Sequence, residues 1–230
     1  MGNRERQERE REAMRRAILE AARELFVKEG FRNVSVRKIA ERIEYSGAAI
    51  YSYFPSKDAI FFALAEEGFR HLDQALTRTR TAGGRPLDVL RQGFWEYYQF
   101  SKSQPEHFEL MFADRSVPRI MEDWARFGFL HTTVQRASDQ IRLCIECGDF
   151  PPDTVPEVAF HILWAAMHGV ALIGLYGMFA PGEDPDALAR DTFEAALTGL
   201  RAGIRTTFAA ADLSKLGGLA PGAGATHESS

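Results

Sequence analysis

The sequence predicts an all-α protein with a small N-terminal helix-turn-helix domain and a larger second helical domain. Three observations indicate this class. Apolar residues recur at helical spacing through most of the chain, Gly and Pro interrupt that spacing at helix-length intervals, and no segment shows the alternation of a strand. The 230 residues are 45% hydrophobic and 26% charged, which is ordinary globular composition.

The first predicted helix covers about residues 10–29, where an apolar stripe runs from Met14 to Phe26 and Gly30 suits the C-terminal cap. Before it, residues 2–12 alternate Arg and Glu. Two interpretations are open: a solvated helical extension held by ion pairs four residues apart, or an arm whose Arg side chains contact DNA. The alternating signs favour the extension, with Arg4, Arg6 and Arg9 as the DNA candidates under the alternative.

Residues 35–57 predict two short helices joined by a tight turn. Ser35 suits the N-cap of the first helix, and Ser46 that of the second, which runs through Tyr53. Glu44 and Tyr45 form the turn, and Pro55 ends the unit because its ring cannot continue a helix. This arrangement is a helix-turn-helix, which places its second helix in the DNA major groove.

The side chains of this unit suit DNA binding. The second helix begins with small residues that allow close approach to base edges, and its hydroxyls and the basic residues nearby suit bases and phosphates. The alternative is a plain helical hairpin with half-buried tyrosines. The candidate DNA-contacting residues are Ser35, Arg37, Ser46, Gly47, Ala48, Ala49, Tyr51, Ser52, Tyr53 and Lys57.

The stretch GFRNVSVRKIAERIEYSGAAIYSYFPSKDAIFFAL resembles the N-terminal domain of the TetR family of transcription regulators over about residues 10–65. It departs from the family pattern in three places: Glu44 replaces the usual turn glycine, Ala49 replaces a common Thr, and Gly47 replaces a frequent Lys, Arg or Gln. The resemblance implies a DNA-binding homodimer with an effector pocket in the second domain. The departures shift base contacts towards Arg37, backbone amides and the tyrosine hydroxyls.

The remaining elements are also predicted as helices. Ser56 begins a helix that directly follows the helix-turn-helix and ends at Gly83-Gly84, so movement of this helix moves the DNA-contacting unit. The further predicted helices run from Pro86 to about Ser103, from Pro105 through Phe112, from Pro118 to Cys147, from a cap at Asp153 or Thr154 to about Phe179, and from an Asp184 cap to about residue 209. The small and polar residues after about 211 predict a disordered tail.

Aromatic and Met residues are frequent between residues 86 and 180. Most must form a helical core, but the resemblance implies that some line a pocket for an apolar or aromatic molecule. The stretch WAAMHG also resembles a Trp-His-Gly signature of one TetR subgroup, although a hydrogen-bonded core histidine is the favoured interpretation of His168 and a ligand contact the alternative. The candidate lining residues are Trp95, Tyr98, Met111, Phe112, Trp124, Trp164 and His168.

Other functional classes have weaker support. Cys144 and Cys147 form a single C-x-x-C, which predicts two plain thiols more readily than a redox or metal sensor. No nucleotide-binding, hydrolase or metalloprotease motif indicates a helical enzyme, and no ligand spacing indicates a metal or cofactor. Residues 158–181 lack charge, but the internal histidines and the acidic flanks favour a buried helix over a membrane span or an adaptor surface.

Charge and processing signals complete the prediction. Residues 1–60 hold 13 Lys and Arg against 10 Asp and Glu, whereas the whole chain has a net charge of −4. A mildly basic N-terminal part fits binding of double-stranded DNA by one end of the molecule. The charged N-terminus has no secretory h-region, which predicts a cytoplasmic protein.

We therefore predict a ligand-responsive, non-enzymatic repressor. Residues 1–56 form the DNA-binding domain, residues 57–211 bind an effector and dimerise, and residues 212–230 are disordered. The last two helices pair with their copies in a four-helix bundle. The two DNA-contacting helices then lie roughly 34–36 Å apart on a palindromic operator. The resemblance implies that a small apolar or aromatic effector releases the homodimer.

Overall fold

The computed structural model describes residues 2–113 and 128–210, and these residues form helices and connecting turns without a strand. The all-α prediction is thereby confirmed. The helices are α1 (Asn3–Glu29), α2 (Val36–Arg42), α3 (Gly47–Tyr51), α4 (Lys57–Ala82), α5 (Pro86–Ser103), α6 (Pro105–Phe108), α7 (Gly128–Glu146), α8 (Pro156–Leu175) and α9 (Pro185–Arg201). A 3₁₀ turn at Phe31–Asn33 follows α1, and a π-helical turn at Glu109–Ala113 continues α6.

Helix starts follow the capping residues that the sequence predicts. Ser35, Ser46 and Ser56 each accept a bond from a backbone amide three residues on, at 3.2, 3.1 and 3.0 Å. Asp184 accepts from the amides of Asp186 and Ala187. These side chains satisfy amides that lack a partner in the first turn, and so they fix where each helix begins.

Four predicted boundaries are wrong. Helix α8 ends at Leu175 rather than near Phe179, and Gly177 just beyond it has a left-handed φ of 63°. Helix α3 ends at Tyr51, so Tyr53 lies beyond the helix. Helix α8 begins at Pro156 without a side-chain cap, because proline tolerates the first helical position, where its missing N–H needs no partner. Helix α9 ends at Arg201, and Gly203 adopts a left-handed φ of 74° just beyond it, which turns the chain away before residue 209.

The N-terminal helices share one small core. Ile18 and Phe26 of α1, Ile39 of α2 and Ile50 of α3 are fully buried or nearly so, and Phe61 of α4 joins them. Their burial removes water from the backs of the two short helices, so tertiary packing holds helices that are too short to be stable alone. Because α4 contributes to this core, it belongs to the N-terminal packing unit at its first turns.

Helix α5 is the centre of the second part of the chain. It packs against α4 on one side and against α7 and α8 on others, while α8 packs along α9. The charge-free stretch at 158–181 lies largely in α8, which is the one helix among the described residues that is long and apolar enough to span a membrane. Within this chain, 33% of the most apolar 18 residues of α8, its apolar window, are buried. The predicted segment after Pro118, up to residue 127, and the predicted disordered tail at 212–230 lie outside the described residues.

Candidate functional site

The helix-turn-helix presents one face to the outside. Helix α2 and helix α3 bury Ile39 and Ile50 against α1 and α4. Ser35, Arg37, Ser46, Ala48, Tyr51 and Ser52 are exposed, while Gly47, Ala49, Tyr53 and Lys57 are partly exposed. The ten predicted DNA-contacting residues thus lie on or beside these two short helices and the start of α4, and none is buried in the core.

The turn between α2 and α3 contains a strained residue. Glu44 has a φ of 60°, the left-handed region that an L side chain rarely adopts, and it is the one non-glycine residue among the described residues with positive φ. The amide of the next residue, Tyr45, donates to the Ala40 carbonyl over 2.9 Å, which closes the turn. The turn therefore keeps the backbone that the family usually gives to glycine, at a cost in strain.

Arg37 is exposed and available to a ligand. Its Nε donates to the Glu41 carboxylate at 2.8 Å, and 85% of the Arg37 side chain is accessible. An ion pair this exposed contributes little to stability, so a phosphate or a guanine can displace the carboxylate. The Ser52 hydroxyl is less free because it donates to the Ala49 carbonyl over 2.7 Å, although its oxygen still accepts.

Lys57 has a structural role in addition to any contact with DNA. Its ammonium donates to the Phe31 carbonyl at 2.8 Å and lies 4.1 Å above the Phe31 ring. These contacts join the start of α4 to the turn after α1. Since an ammonium has three N–H groups, donors are left for a phosphate.

The N-terminal part of α1 is a helical extension with ion pairs four residues apart. Arg4 pairs with Glu8 at 3.5 Å and Arg6 with Glu10 at 2.8 Å, and all four side chains are exposed. The structure thus shows the predicted helical extension with its ion pairs, and α1 begins at Asn3 rather than near residue 10. Contact of Arg4, Arg6 or Arg9 with DNA stays a prediction.

The predicted effector residues separate into two groups. Trp95 and Tyr98 face α9: the Tyr98 hydroxyl donates to Asp186 at 2.9 Å, and the guanidinium of Arg190 lies 4.6 Å from the Trp95 ring. Lys102 also bonds Asp186 and lowers the pKa of its carboxyl. This network fixes α5 to α9, and the structure does not place its members with the other candidates.

The second group surrounds His168. Its ring centroid lies 5.1 Å from Trp164 and 5.5 Å from Phe112. Two residues that sequence reasoning did not select complete the cluster: the Tyr97 hydroxyl bonds His168 Nδ1 at 2.7 Å, and the Phe108 ring lies 5.7 Å from the imidazole. Met111, on the turn that carries Phe112, is also buried, but its sulfur lies against Gly68 of α4. Trp124 lies outside the described residues.

Burial determines the protonation of this cluster. It lowers the pKa of His168, which keeps the imidazole neutral, and it raises the pKa of Tyr97, which keeps the hydroxyl protonated. The nearby Trp164 indole opposes part of the rise in the pKa of Tyr97. The site is therefore an apolar aromatic surface with one neutral polar dyad.

The cysteine pair is poorly suited to chemistry. Cys144 is buried, and burial raises the pKa of its thiol to about 12, whereas Cys147 is exposed. The thiolate is the form that binds metal and attacks electrophiles, and Cys144 does not reach it near neutral pH. Within residues 2–113 and 128–210 no three metal-binding side chains come together.

A cleft of about 460 Å³ separates α1 from α4 and the start of α6. Arg23 of α1 forms an ion pair with Glu106 of α6 at its edge, and His107 lies in its wall with both ring nitrogens buried and unpartnered in the described structure. Helix α4 approaches α6 closely here, because a Cβ on Gly68 would lie 3.2 Å from His107 Cβ and would overlap the Met111 sulfur. Sequence reasoning did not find this junction, since a glycine in a helix carries no signal of what faces it.

Comparisons with known proteins agree with this architecture. A family model described as bacterial regulatory proteins of the tetR family matches residues 18–64, and one described as a tetracyclin repressor-like C-terminal domain matches residues 90–198. Together they span most of the chain. The C-terminal match does not support the Trp-His-Gly subgroup that the stretch WAAMHG suggests.

Relatives and solved structures give the same picture. The HTH-type transcriptional repressor Rv1474c of Mycobacterium tuberculosis is 28% identical over 183 residues, which are 77% of this chain and 88% of that protein. The repressor KstR of Mycolicibacterium smegmatis is 33% identical over 76 residues, 33% of this chain and 37% of that protein. A tetR-family regulatory protein from Rhodococcus RHA1 has the same fold, with a TM-score of 0.65, 20% identity and coverage of 81% and 96% of the two chains. The two family matches and the helix-turn-helix geometry show that this chain belongs to the TetR family of bacterial transcription regulators.

Proposed function

We propose that the chain is a homodimeric repressor that binds a palindromic operator and is released by a small apolar or aromatic effector. The observation that carries this proposal is the exposed helix-turn-helix face, held rigidly to α4 and coupled through α6 to an aromatic cluster. The names of the relatives support repression, since Rv1474c, KstR and NicS are each named transcriptional repressors.

In this proposal residues 1–56 contact DNA and residues 57–211 bind the effector and dimerise, with 212–230 as a disordered tail. Arg37 contacts a base edge, and the tyrosine and serine hydroxyls around Tyr51 contact bases or phosphates. Lys57 contacts a phosphate through donors that the Phe31 carbonyl leaves free. Gly47 is open to a side chain, since its nearest neighbour would be the Arg37 Cα at 3.9 Å, so its lack of a polar group makes contacts by Arg37 more important.

Dimerisation in this proposal uses α8 and α9. Two thirds of the apolar window of α8 is not buried within one chain, and Leu188 of α9 is 41% exposed. Tyr176 and Met178, just after α8, are 56% and 65% exposed. Apolar surface of this extent favours association, and a self-complementary pairing of two helices with their copies buries it in a four-helix bundle.

The proposed effector site is the cluster of Phe112, Trp164 and His168, with Tyr97 and Phe108 added. Trp95 and Tyr98 are removed because they face α9, and Met111 is removed because its sulfur faces Gly68 of α4. Its aromatic character supports an apolar ligand. Two structures of the same fold are titled as a ketosteroid transcriptional regulator from Mycobacterium tuberculosis and a fatty acid degradation regulator from Bacillus halodurans, with TM-scores of 0.61 and 0.66. Those titles name ketosteroids and fatty acid degradation, and both concern largely apolar molecules, the class of effector proposed here.

We propose that this protein, as a regulator of this kind, acts in the cytoplasm. We also propose that it uses neither a cofactor nor a catalytic residue. A thiol-sensor function is not favoured, because Cys144 is a buried thiol of raised pKa. No arrangement within the described residues supports a helical enzyme. His168 is proposed as an effector contact on its own geometry, without membership of the Trp-His-Gly subgroup.

The test is selection of a random duplex pool on the purified full-length protein, followed by sequencing. Enrichment of an inverted repeat with half-sites about one helical turn apart supports the dimeric regulator. A single unpaired half-site contradicts the proposed dimer. If no sequence is enriched, including after unfolding and refolding to remove bound ligand, specific DNA binding is refuted.

A further inference from the structure

The hydrogen bond at His168 has a direction that limits what its free nitrogen can bind. Tyr97 OH and His168 Nδ1 are 2.7 Å apart, and either atom could donate in principle. Tyr97 is buried, and His168 Nδ1 is the partner of its hydroxyl within residues 2–113 and 128–210. A phenol O–H can donate one bond, whereas a ring nitrogen donates only when it carries the proton.

The direction of this bond follows from the burial of the tyrosine. If Nδ1 carried the proton and donated, the Tyr97 O–H would be left without a partner inside a buried site, which costs free energy. In the low-cost arrangement the Tyr97 O–H donates to His168 Nδ1. A neutral imidazole with an accepting Nδ1 carries its proton on Nε2.

The other imidazole nitrogen, His168 Nε2, makes no hydrogen bond within residues 2–113 and 128–210. It is not among the buried, unpartnered polar atoms of those residues, so it is accessible to a ligand. Around it lie the rings of Phe108, Phe112 and Trp164. The surroundings favour an apolar body, and the single N–H requires one accepting atom on that body.

We propose that the effector site selects an apolar molecule that carries a hydrogen-bond acceptor, such as a carbonyl or carboxylate oxygen, through the Nε2–H of His168. Tyr97 is the positioning residue that fixes the tautomer. The inference rests on the proposed effector site, but it adds the polarity of the ligand group: molecules that only donate, and pure hydrocarbons, bind less well.

The tautomer can be measured without a ligand. In protein labelled with ¹⁵N-histidine, long-range ¹H–¹⁵N correlations distinguish the two neutral tautomers. His168→Phe identifies the signals of His168 among the six histidines. We expect the Nε2–H form in the unmodified protein and a mixture of both forms in Tyr97→Phe. An Nδ1–H form in the unmodified protein overturns the proposal.

Ligand selectivity is measured with a matched pair, 2-acetylnaphthalene and 2-ethylnaphthalene, which differ by a carbonyl in place of a methylene. We expect the ketone to bind about tenfold more tightly, the size of one partly buried neutral hydrogen bond. His168→Phe should equalise the two affinities, whereas Tyr98→Phe, whose hydroxyl bonds Asp186 instead, should keep the difference. Equal affinities in the unmodified protein, or no binding of either probe, overturn the proposal.

The same preparation is tested for operator binding. A carbonyl preference and an Nε2–H tautomer without an enriched operator would refute the regulator while the ligand assignment stands. An enriched operator with the opposite tautomer would refute only the ligand assignment.

Discussion

Gly68→Ala tests the close contact between α4 and α6. In an exposed helix interior this change stabilises by about 0.5–1 kcal/mol, because alanine has less backbone entropy to lose than glycine. Here the new Cβ would lie 3.2 Å from His107 Cβ and 3.3 Å from His107 Cδ2, and it would overlap the Met111 sulfur.

The two effects oppose each other, and the contact should dominate. The Met111 thioether can rotate away, but His107 Cβ is bonded to the α6 backbone, so α6 itself must shift. Overpacking of this kind costs about 1–3 kcal/mol, which exceeds the gain in helix propensity. We expect Gly68→Ala to lower the free energy of unfolding by about 1–2 kcal/mol after the helix gain is included.

The matched control is Gly93→Ala in the interior of α5. Its new Cβ would have only the Leu76 Cδ2 at 3.9 Å, an ordinary contact. Gly93→Ala should therefore stabilise by about 0.5–1 kcal/mol. Urea unfolding followed by circular dichroism, at one protein concentration because the protein is proposed to dimerise, measures both variants. If Gly68→Ala is as stable as Gly93→Ala, the close α4–α6 contact is refuted.

Three further substitutions test the DNA-binding face. Arg37→Ala should relax base preference at one position of each half-site and cost about 1–3 kcal/mol per contact in a quantitative binding assay, and an unchanged preference would exclude Arg37 from base recognition. Lys57→Ala should weaken binding to all duplexes alike and reduce the salt slope by about one, and a sequence-selective loss would contradict a phosphate contact. The same variant should have a lower free energy of unfolding, because the bond to the Phe31 carbonyl is lost. Glu44→Gly should stabilise by about 0.5–1 kcal/mol, because relief of the left-handed backbone exceeds the added entropy of the unfolded chain, and a destabilised variant in thermal unfolding would mean that the Glu44 side chain makes a contact of its own.

The helix-turn-helix could be predicted from sequence because its signals are local. Ser35 and Ser46 cap helices within three residues of themselves, and Pro55 ends the unit by its own covalent geometry. Even the departure from the family pattern had a local consequence: Glu44 adopts the left-handed φ that the missing glycine would have supplied.

The effector cluster could not be assigned in this way. Tyr97 and Tyr98 are neighbours in sequence, and consecutive residues of a helix point about 100° apart, so one faces His168 and the other faces Asp186. Composition gives both the same weight. Only the packing of α5 against both α8 and α9 decides which tyrosine meets which partner. The same limit applies to the end of α9, where Ile204 and Phe208 continue the apolar spacing beyond the point at which the helix ends.

The segment from Pro105 to Ala113 connects the proposed effector site to the DNA-binding part. Phe108 and Phe112 are four residues apart and contact His168. His107 and Met111 are also four apart, one position earlier, and meet α4 at Gly68. Glu106 adds an ion pair to Arg23 of α1.

Because this segment has only one α-helical turn and one π-helical turn, it has few internal bonds to resist displacement. A ligand that moves the phenylalanine pair must therefore also move the His107–Met111 pair on the neighbouring face of the same short segment. Coupling between ligand and operator then requires only that α4 meets α6 differently in the two states, and typical couplings of about 1–3 kcal/mol are within the range of such a repacking. Gly68→Ala alters the α4–α6 contact at a residue that lies in neither the DNA-binding face nor the proposed effector site. It should therefore change both the stability and the factor by which the effector lowers operator affinity, while Gly93→Ala should leave that factor unchanged.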